Sequence, residues 1–217
     1  MDLFLSLFTF DELKISESIY ETEKHADGFH LDIMDGKFVE NLFGDSNFIN
    51  SVKKETRLPI SVHLMVNEPQ EWVDRLELSP KDLLIFHSEA SSFGETKKNI
   101  ELFKNKGCQV GVAFNPETPI NEDLLEYLDA VLVMSVKPGM SGQKFIEPVL
   151  EKIEKLLKYR KNSELQFLVI IDGGVDKNRI EALRDAGVDR VVVGSAVFCS
   201  NNPKNEAQGL HKLANNC

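Results

Sequence analysis

The sequence lacks any apolar run near the roughly 18–20 residues that a membrane span requires, so no membrane partner is expected. It opens Met-Asp, without the basic stretch and small-residue cleavage site of a secretory signal, and cytoplasmic residence is the expectation. Cysteine is scarce. Cys108, Cys199 and Cys217 have neither metal-ligand spacing nor the even count of a disulfide framework. No cluster of Lys and Arg is present, and 25 basic against 35 acidic residues leave a net charge of −10. Such a chain repels phosphate backbones, which excludes nucleic acid as an expected partner. A small anionic ligand stays open, because backbone N–H groups hold a phosphate locally against the global field. Low-complexity linkers and shifts of composition are missing too, so residues 1–217 are read as one domain.

What is present is an alternation. Short β-branched or aromatic runs occur at Leu3–Leu7, Phe29–Ile33, Ile60–Leu64, Leu83–His87, Gln109–Ala113, Val131–Ser135, Phe167–Ile171 and Arg190–Val193. Between them lie amphipathic stretches such as Phe10–Lys24, Ser46–Glu55, Gln143–Tyr159 and Lys177–Ala186. In the third of these, Ile146, Leu150, Ile153 and Leu157 recur at helical spacing and predict one buried face. Strands alternating with helices call for a parallel sheet, since parallel neighbours need crossover connections. Eight such units predict an α/β chain closed into a single (β/α)8 TIM barrel of eight parallel strands. The rival, an open doubly wound sheet, is weakened because no Gly-x-Gly-x-x-Gly follows the first strand.

Reactive groups of such a barrel sit at the C-terminal ends of its strands, and the titratable residues gather there. His30 and Asp32 are two apart on the second strand and share a face; His63, His87 and Asp172 fall at the ends of the third, fourth and seventh. Any one of them alone reads as a satisfied core residue. His30, Asp32, His63 and Asp172 together do not, because buried charges are costly unless paired or bound to metal. Two imidazoles and two carboxylates suit Zn²⁺, Mn²⁺ or Fe²⁺. His87 is either a fifth residue of the site or a donor behind it, whereas His25 and His211 lie in polar, helical contexts expected at the surface. Glycine clusters follow the last strands: Pro138-Gly139-Met140-Ser141-Gly142, Gly173-Gly174 and Gly194-Ser195. Glycine lets backbone N–H groups approach an anion, and barrels often bind phosphate with these loops.

The same residues carry a resemblance. His30-Leu-Asp-Ile-Met-Asp-Gly36, Val62-His-Leu-Met-Val66, Val133 through Phe145, Ile171-Asp-Gly-Gly-Val175, Val193-Gly-Ser-Ala196 and Asn115-Pro-Glu-Thr-Pro119 are similar to segments of the ribulose-phosphate 3-epimerase family. The similarity runs in order from about Ser6 to about Phe198, and a set of motifs in register is far more specific than a fold alone. The resemblance implies that His30, Asp32, His63 and Asp172 bind one divalent transition metal ion, with no organic cofactor. Asp32 and Asp172 match the family's acid/base pair. Ser6, His63, Gly139, Met140, Ser141, Gly142, Gly173, Gly174, Gly194 and Ser195 match its substrate-binding positions. Met34, Met65 and Met134 match methionines lining its reaction site, although apolar packing explains them as well.

The implied reaction inverts C3 of a small phosphorylated ketose, interconverting D-ribulose 5-phosphate and D-xylulose 5-phosphate by two-base proton transfer through an enediolate. Assembly into a homo-oligomer is compatible with the sequence. Departures from the family pattern cluster on the rim. Leu5 replaces a proline, Lys37 a histidine, and Val39-Glu40-Asn41 the usual Val-Pro-Asn, in a Lys37–Gly44 loop one residue short. Lys137 precedes Pro138, and Ser141 stands where glycine is common. A hexulose 6-phosphate 3-epimerase of the allulose 6-phosphate type is therefore the alternative, and a non-catalytic sugar-phosphate-binding barrel a remoter one. The Asp-x-Lys-x-x-Asp strand motif of related decarboxylases and synthases is absent; Asp35–Glu40 comes nearest and ends in Glu.

Overall fold

The computed structural model describes residues 1–9 and 14–216. Eight parallel strands form a ring: β1 (Asp2–Ser6), β2 (Gly28–Asp35), β4 (Ile60–Met65), β5 (Leu83–His87), β6 (Gln109–Phe114), β7 (Ala130–Met134), β8 (Leu168–Asp172) and β9 (Arg190–Val193). Pairing of β1 with both β9 and β2 closes the barrel. A two-residue strand, β3 (Leu42–Phe43), runs antiparallel along the end of β2. Around the barrel lie α1 (Ile15–Thr22), α2 (Ser46–Glu55), α3 (Phe93–Lys104), α4 (Val149–Ser163), α5 (Ile180–Ala186), α6 (Ser195–Phe198) and α7 (Pro203–Asn215). No helix among the described residues is long and apolar enough to cross a membrane.

The strands read as continuous apolar runs because both faces are covered. One parity points outward: Leu3, Leu5, Phe29, Leu31, Ile33, Val62 and Leu64 pack with helix residues such as Ile49, Ile100 and Ile153 in the larger core cluster. The other parity fills the barrel, where Phe4, Leu83, Ile85, Ala113, Leu132, Ile170 and Val192 form a second cluster. Gly28 is needed to admit Phe4, since a Cβ there would lie 2.3 Å from the phenyl ring. With a side-chain period of two, the inward parity carries the polar residues up to the mouth.

The predicted strands are all found, displaced by at most two residues at an end. Helix Ser46–Glu55 has its predicted bounds, set by Asp45, whose carboxylate accepts from Phe48 N–H at 2.8 Å. Other helices are shorter than expected. Residues 10–13 of the Phe10–Lys24 stretch lie outside the described residues, as does Cys217, and α1 starts only at Ile15. The Gln143–Tyr159 helix begins at Val149, with Pro148 as its cap. Ahead of it, Ile146 N–H donates to Ser135 O and Gln143 Nε2 to Lys137 O and Met140 O, so these backbone groups serve a loop. The buried stripe of that helix is Val149, Ile153 and Leu156, while Leu150 is exposed. Lys177–Arg179 likewise form a turn before α5.

Candidate active site

Four side chains converge at the mouth. Single ligand atoms of His30, Asp32, His63 and Asp172 all lie within 4.8 Å of one another. Asp32 Oδ1 is 3.4 Å from His30 Nε2 and 3.0 Å from His63 Nδ1; Asp172 Oδ2 is 3.7 Å from each of the same nitrogens. Neighbours fix the rings and one carboxylate: His30 Nδ1 is 2.7 Å from Ser61 Oγ, and Ser6 Oγ donates to Asp32 Oδ2 at 2.8 Å. His30 Nε2 is buried, faces both carboxylates and has no hydrogen-bond partner. An orphaned imidazole nitrogen among carboxylates is costly in a protein interior. It is a fitting donor for a cation, and this N/O set fits a divalent transition metal.

The electrostatics separate the two carboxyls. For Asp32 burial alone would favour the neutral acid, but the charges of His30 and His63 and the hydrogen bond from His63 outweigh it and hold the carboxyl well below its usual range. Burial pushes Asp172 up to about 7; His30 opposes this and the Asp32 charge adds to it. Burial pulls His63 down to about 4 despite its bond to Asp32. For His30 burial is overcome by Asp32, so its pKa rises. Two carboxyls at one point with pKa values driven apart are the pattern of an acid and a base sharing a site.

Above the quartet lies a cleft lined by Ser6, Asp32, Asp172, Met34, Met65, Met134, Gly139, Met140, Ser141, Gly142, Gly173, Gly174, Gly194 and Ser195. The fourteen residues come from seven separate stretches of chain. His30 and His63 are fully buried beneath its floor. Gly173 and Gly174 have φ of +112° and +62°, and a Cβ on Gly173 would lie 2.3 Å from Val136. Ser195 opens α6, with Gly194 as its cap. The altered rim backs the Gly139 loop: Asn41 Nδ2 donates to Gly139 O at 2.6 Å, and Val39 packs against Gly139. Met140 is exposed at the edge.

Some participants had signals that went unread. Ser61 precedes His63 by two residues on the same face, and Ser135 is fully buried with Oγ donating to the carbonyls of Asp172 and Gly173 at 2.9 and 2.5 Å. Period-two counting along the strand finds Ser61. Glu89 follows His87 by two, and its Oε2 lies 3.2 Å from His87 Nδ1. His25 and His211 lie in helical segments at the surface with partly exposed side chains, and His211 Nε2 lies 3.5 Å from Asp27 Oδ1.

The chain matches the model of the ribulose-phosphate 3 epimerase family over residues 2–198. It is 36% identical to a ribulose-phosphate 3-epimerase of Bacillus subtilis, covering 92% of this chain and 93% of that one. A Treponema pallidum ribulose-phosphate 3-epimerase is 35% identical, with 89% of each chain covered. Among solved structures, 3-hexulose-6-phosphate synthase from Salmonella typhimurium superposes with a TM-score of 0.74 at 19% identity, over 100% of this chain and 99% of that one. That last likeness speaks for the barrel alone. Family model, relatives and a His/Asp cluster at the barrel mouth agree: the chain is an epimerase and belongs to the ribulose-phosphate 3-epimerase family.

Proposed function

We propose that the protein interconverts D-ribulose 5-phosphate and D-xylulose 5-phosphate, with Asp32 and Asp172 as the two proton-transferring groups. The observation that carries this is the convergence of the two carboxyls, one on β2 and one on β8, on a single buried point beside His30 Nε2, at 3.4 and 3.7 Å. Inversion needs proton removal on one face of C3 and delivery on the other. One carboxyl from each of two separated strands meets that need. Their roles exchange with the direction of reaction.

His30, Asp32, His63 and Asp172 are the residues that would hold Zn²⁺, Mn²⁺ or Fe²⁺. Such an ion, when bound, supplies Lewis-acid stabilisation of the charge that develops beside the leaving proton. Ser6 orients Asp32 through its 2.8 Å hydrogen bond. Gly173, Gly174, Gly194 and Ser195 offer backbone N–H groups to the phosphate, which suits a chain of net charge −10 with no basic cluster. Gly139–Gly142, backed by Val39 and Asn41, close the opposite side. Met34, Met65 and Met134 keep the floor apolar around the reacting carbon.

The test is turnover in D₂O. Product formed from either epimer should carry deuterium at C3, and metal-replete Asp32→Asn or Asp172→Asn should exchange the proton of one epimer without forming the other. A metal-replete single variant that epimerises at the wild-type rate sinks the two-base reading. Comparison of kcat/KM for ribulose 5-phosphate and allulose 6-phosphate decides the sugar length, with the pentulose expected to be preferred.

A further inference from the structure

Behind the quartet, a row of polar groups leads away from the cleft. His63 Nε2 lies 2.9 Å from His87 Nε2, His87 Nδ1 lies 3.2 Å from Glu89 Oε2, and Glu89 Oε1 accepts from Asn115 N–H at 2.8 Å. Both rings are fully buried, and Phe38 covers His87 with ring centroids 4.7 Å apart. The outer end is anchored. Lys152 Nζ on α4 donates to the carbonyls of Asn115, Pro116 and Thr118, each at 2.7 Å. So elaborate a row is more than packing needs, and the proton transfers proposed for the cleft do not use it.

Two imidazole nitrogens 2.9 Å apart must be one donor and one acceptor. Only two polarities exist for a pair of neutral rings. In the first, His63 donates from Nε2 to a bare His87 Nε2, and His87 donates from Nδ1 to the Glu89 carboxylate. Every contact outside the quartet is then satisfied, and His63 Nδ1 keeps a lone pair that opposes the Asp32 carboxylate at 3.0 Å in the absence of a cation. That nitrogen is the one facing Asp32 and Asp172, at 3.0 and 3.7 Å. In the second, His87 donates from Nε2 and turns a bare Nδ1 to a carboxylate. Two acceptors then face each other beside a buried ring, which costs about 1–3 kcal/mol or more. With a cation held between His63 Nδ1 and the carboxylates, the first polarity is satisfied at both ends and the carboxylate at position 89 selects it.

We propose that His87 and Glu89 are a positioning pair that holds His63 as the Nε2–H tautomer, with its Nδ1 lone pair presented to the metal. The proposal rests on the reading of His30, Asp32, His63 and Asp172 as metal ligands. Neither His87 nor Glu89 touches the reacting atoms; they act through His63.

Glu89→Gln tests this with little change of shape. An amide has one acceptor oxygen and one donor nitrogen where a carboxylate has two acceptor oxygens. With its oxygen kept on Asn115 N–H, its NH₂ faces His87 Nδ1 and reverses the row, leaving a proton on the metal-facing nitrogen of His63. Zinc affinity, measured by chelator competition, should fall about 10–100-fold although residue 89 is no ligand. Glu89→Asp, which keeps the polarity, should recover most of it. His87→Gln, whose amide oxygen can accept from His63, should bind zinc more tightly than the acceptorless His87→Phe. Long-range ¹H–¹⁵N correlation on the zinc-loaded wild type should find His63 protonated on Nε2 and His87 on Nδ1. Metal-free melting curves separate a folding defect from a binding one. A proton on His87 Nε2 in the zinc form, or wild-type affinity in Glu89→Gln, overturns the pairing alone. Wild-type protein that takes up no zinc overturns the metal reading itself, and this role with it.

Discussion

The two ends of the barrel use the same residue type in opposite ways. At the floor, Asp27, Asp82, Asp129 and Asp189 each stand one residue before a strand, β2, β5, β7 and β9. Each carboxylate accepts the first available N–H of the strand before: Leu3, Ile60, Val110 and Val169, at 2.8, 3.1, 2.8 and 2.7 Å. Each also meets a basic side chain of a surrounding helix: Lys53 of α2, Lys104 of α3 and Arg160 of α4, each from the helix leading into that earlier strand, and His211 of the last helix, α7. The device recurs every second β/α unit, so one carboxylate clamps two strands and a helix four times around the ring. At the mouth, Asp32 and Asp172 instead face each other across an unpartnered His30 nitrogen. Satisfied charge holds the barrel closed at one end, and frustrated charge is left for chemistry at the other.

The largest effect expected from breaking this contrast is at the mouth. Asp32→Asn and Asp172→Asn remove a proposed proton-transfer group with almost no change of volume, so turnover should fall by about 10²–10⁴-fold. Metal content measured on each variant separates lost ligation from lost proton transfer. The floor offers the counterpart in stability. Asp82 is fully buried and accepts from Ile60 N–H, Ser79 N–H, Ser79 Oγ–H and Lys53. Asp82→Ala strands these donors and should cost about 3–5 kcal/mol in urea unfolding. The folded fraction should retain wild-type kcat.

Stability of the metal-free protein sharpens the comparison through its sign. Asp82 is held below its ordinary pKa: burial opposes this, but Ser79, the Ile60 N–H and Lys53 outweigh it. Its contribution is present above the unfolded value of about 4 and is lost as pH falls through the depressed folded one. Asp172 is raised to about 7. Its contribution is present below about pH 4 and is lost as pH rises towards 7. Without metal, Asp172→Asn should therefore raise Tm at pH 7.5 and lose that advantage at pH 4, whereas Asp82→Asn lowers Tm at pH 7.5. A Tm for Asp172→Asn below wild type at pH 7.5 would show that the mouth is not frustrated.

How much of this could be read from the chain depends on how local the determinants are. The Ser46–Glu55 helix has its own cap in Asp45, and strands Leu83–His87 and Arg190–Val193 have compact apolar runs; all three bounds follow directly. The start of α4 does not, because Ile146 fits a helical period while its N–H is taken by Ser135 O, just past the end of β7. The His30, Asp32, His63 and Asp172 cluster is legible, since four titratable residues gathered at the ends of otherwise apolar strands stand out. The row from His63 to Glu89 is not, because contact between β4 and β5 fixes which ring nitrogens meet. The floor clamps are hidden for the same reason: an aspartate before a strand looks like turn punctuation until its N–H partner, 19–24 residues earlier, is brought beside it.

The smallest effect is expected at Asp129, and it tests whether the four clamps are equivalent. The Val110 N–H donates to it at 2.8 Å, as its counterparts do elsewhere. Its side chain, however, is 38% exposed, and Lys104, 3.5 Å away, is 40% exposed. Water can replace the lost acceptor there, so Asp129→Ala should cost only about 0.5–1.5 kcal/mol in urea unfolding. The ion pair adds little to this: Lys104→Ala should change stability by less than about 0.5 kcal/mol, and salt should erase the difference. The backbone bond rather than the charge pair is then the working part of the clamp. Asp129→Asn, which keeps an acceptor oxygen for Val110 N–H, should recover most of the loss. If Asp129→Ala instead costs as much as Asp82→Ala, exposure does not grade the clamps, and the floor depends on each of them equally.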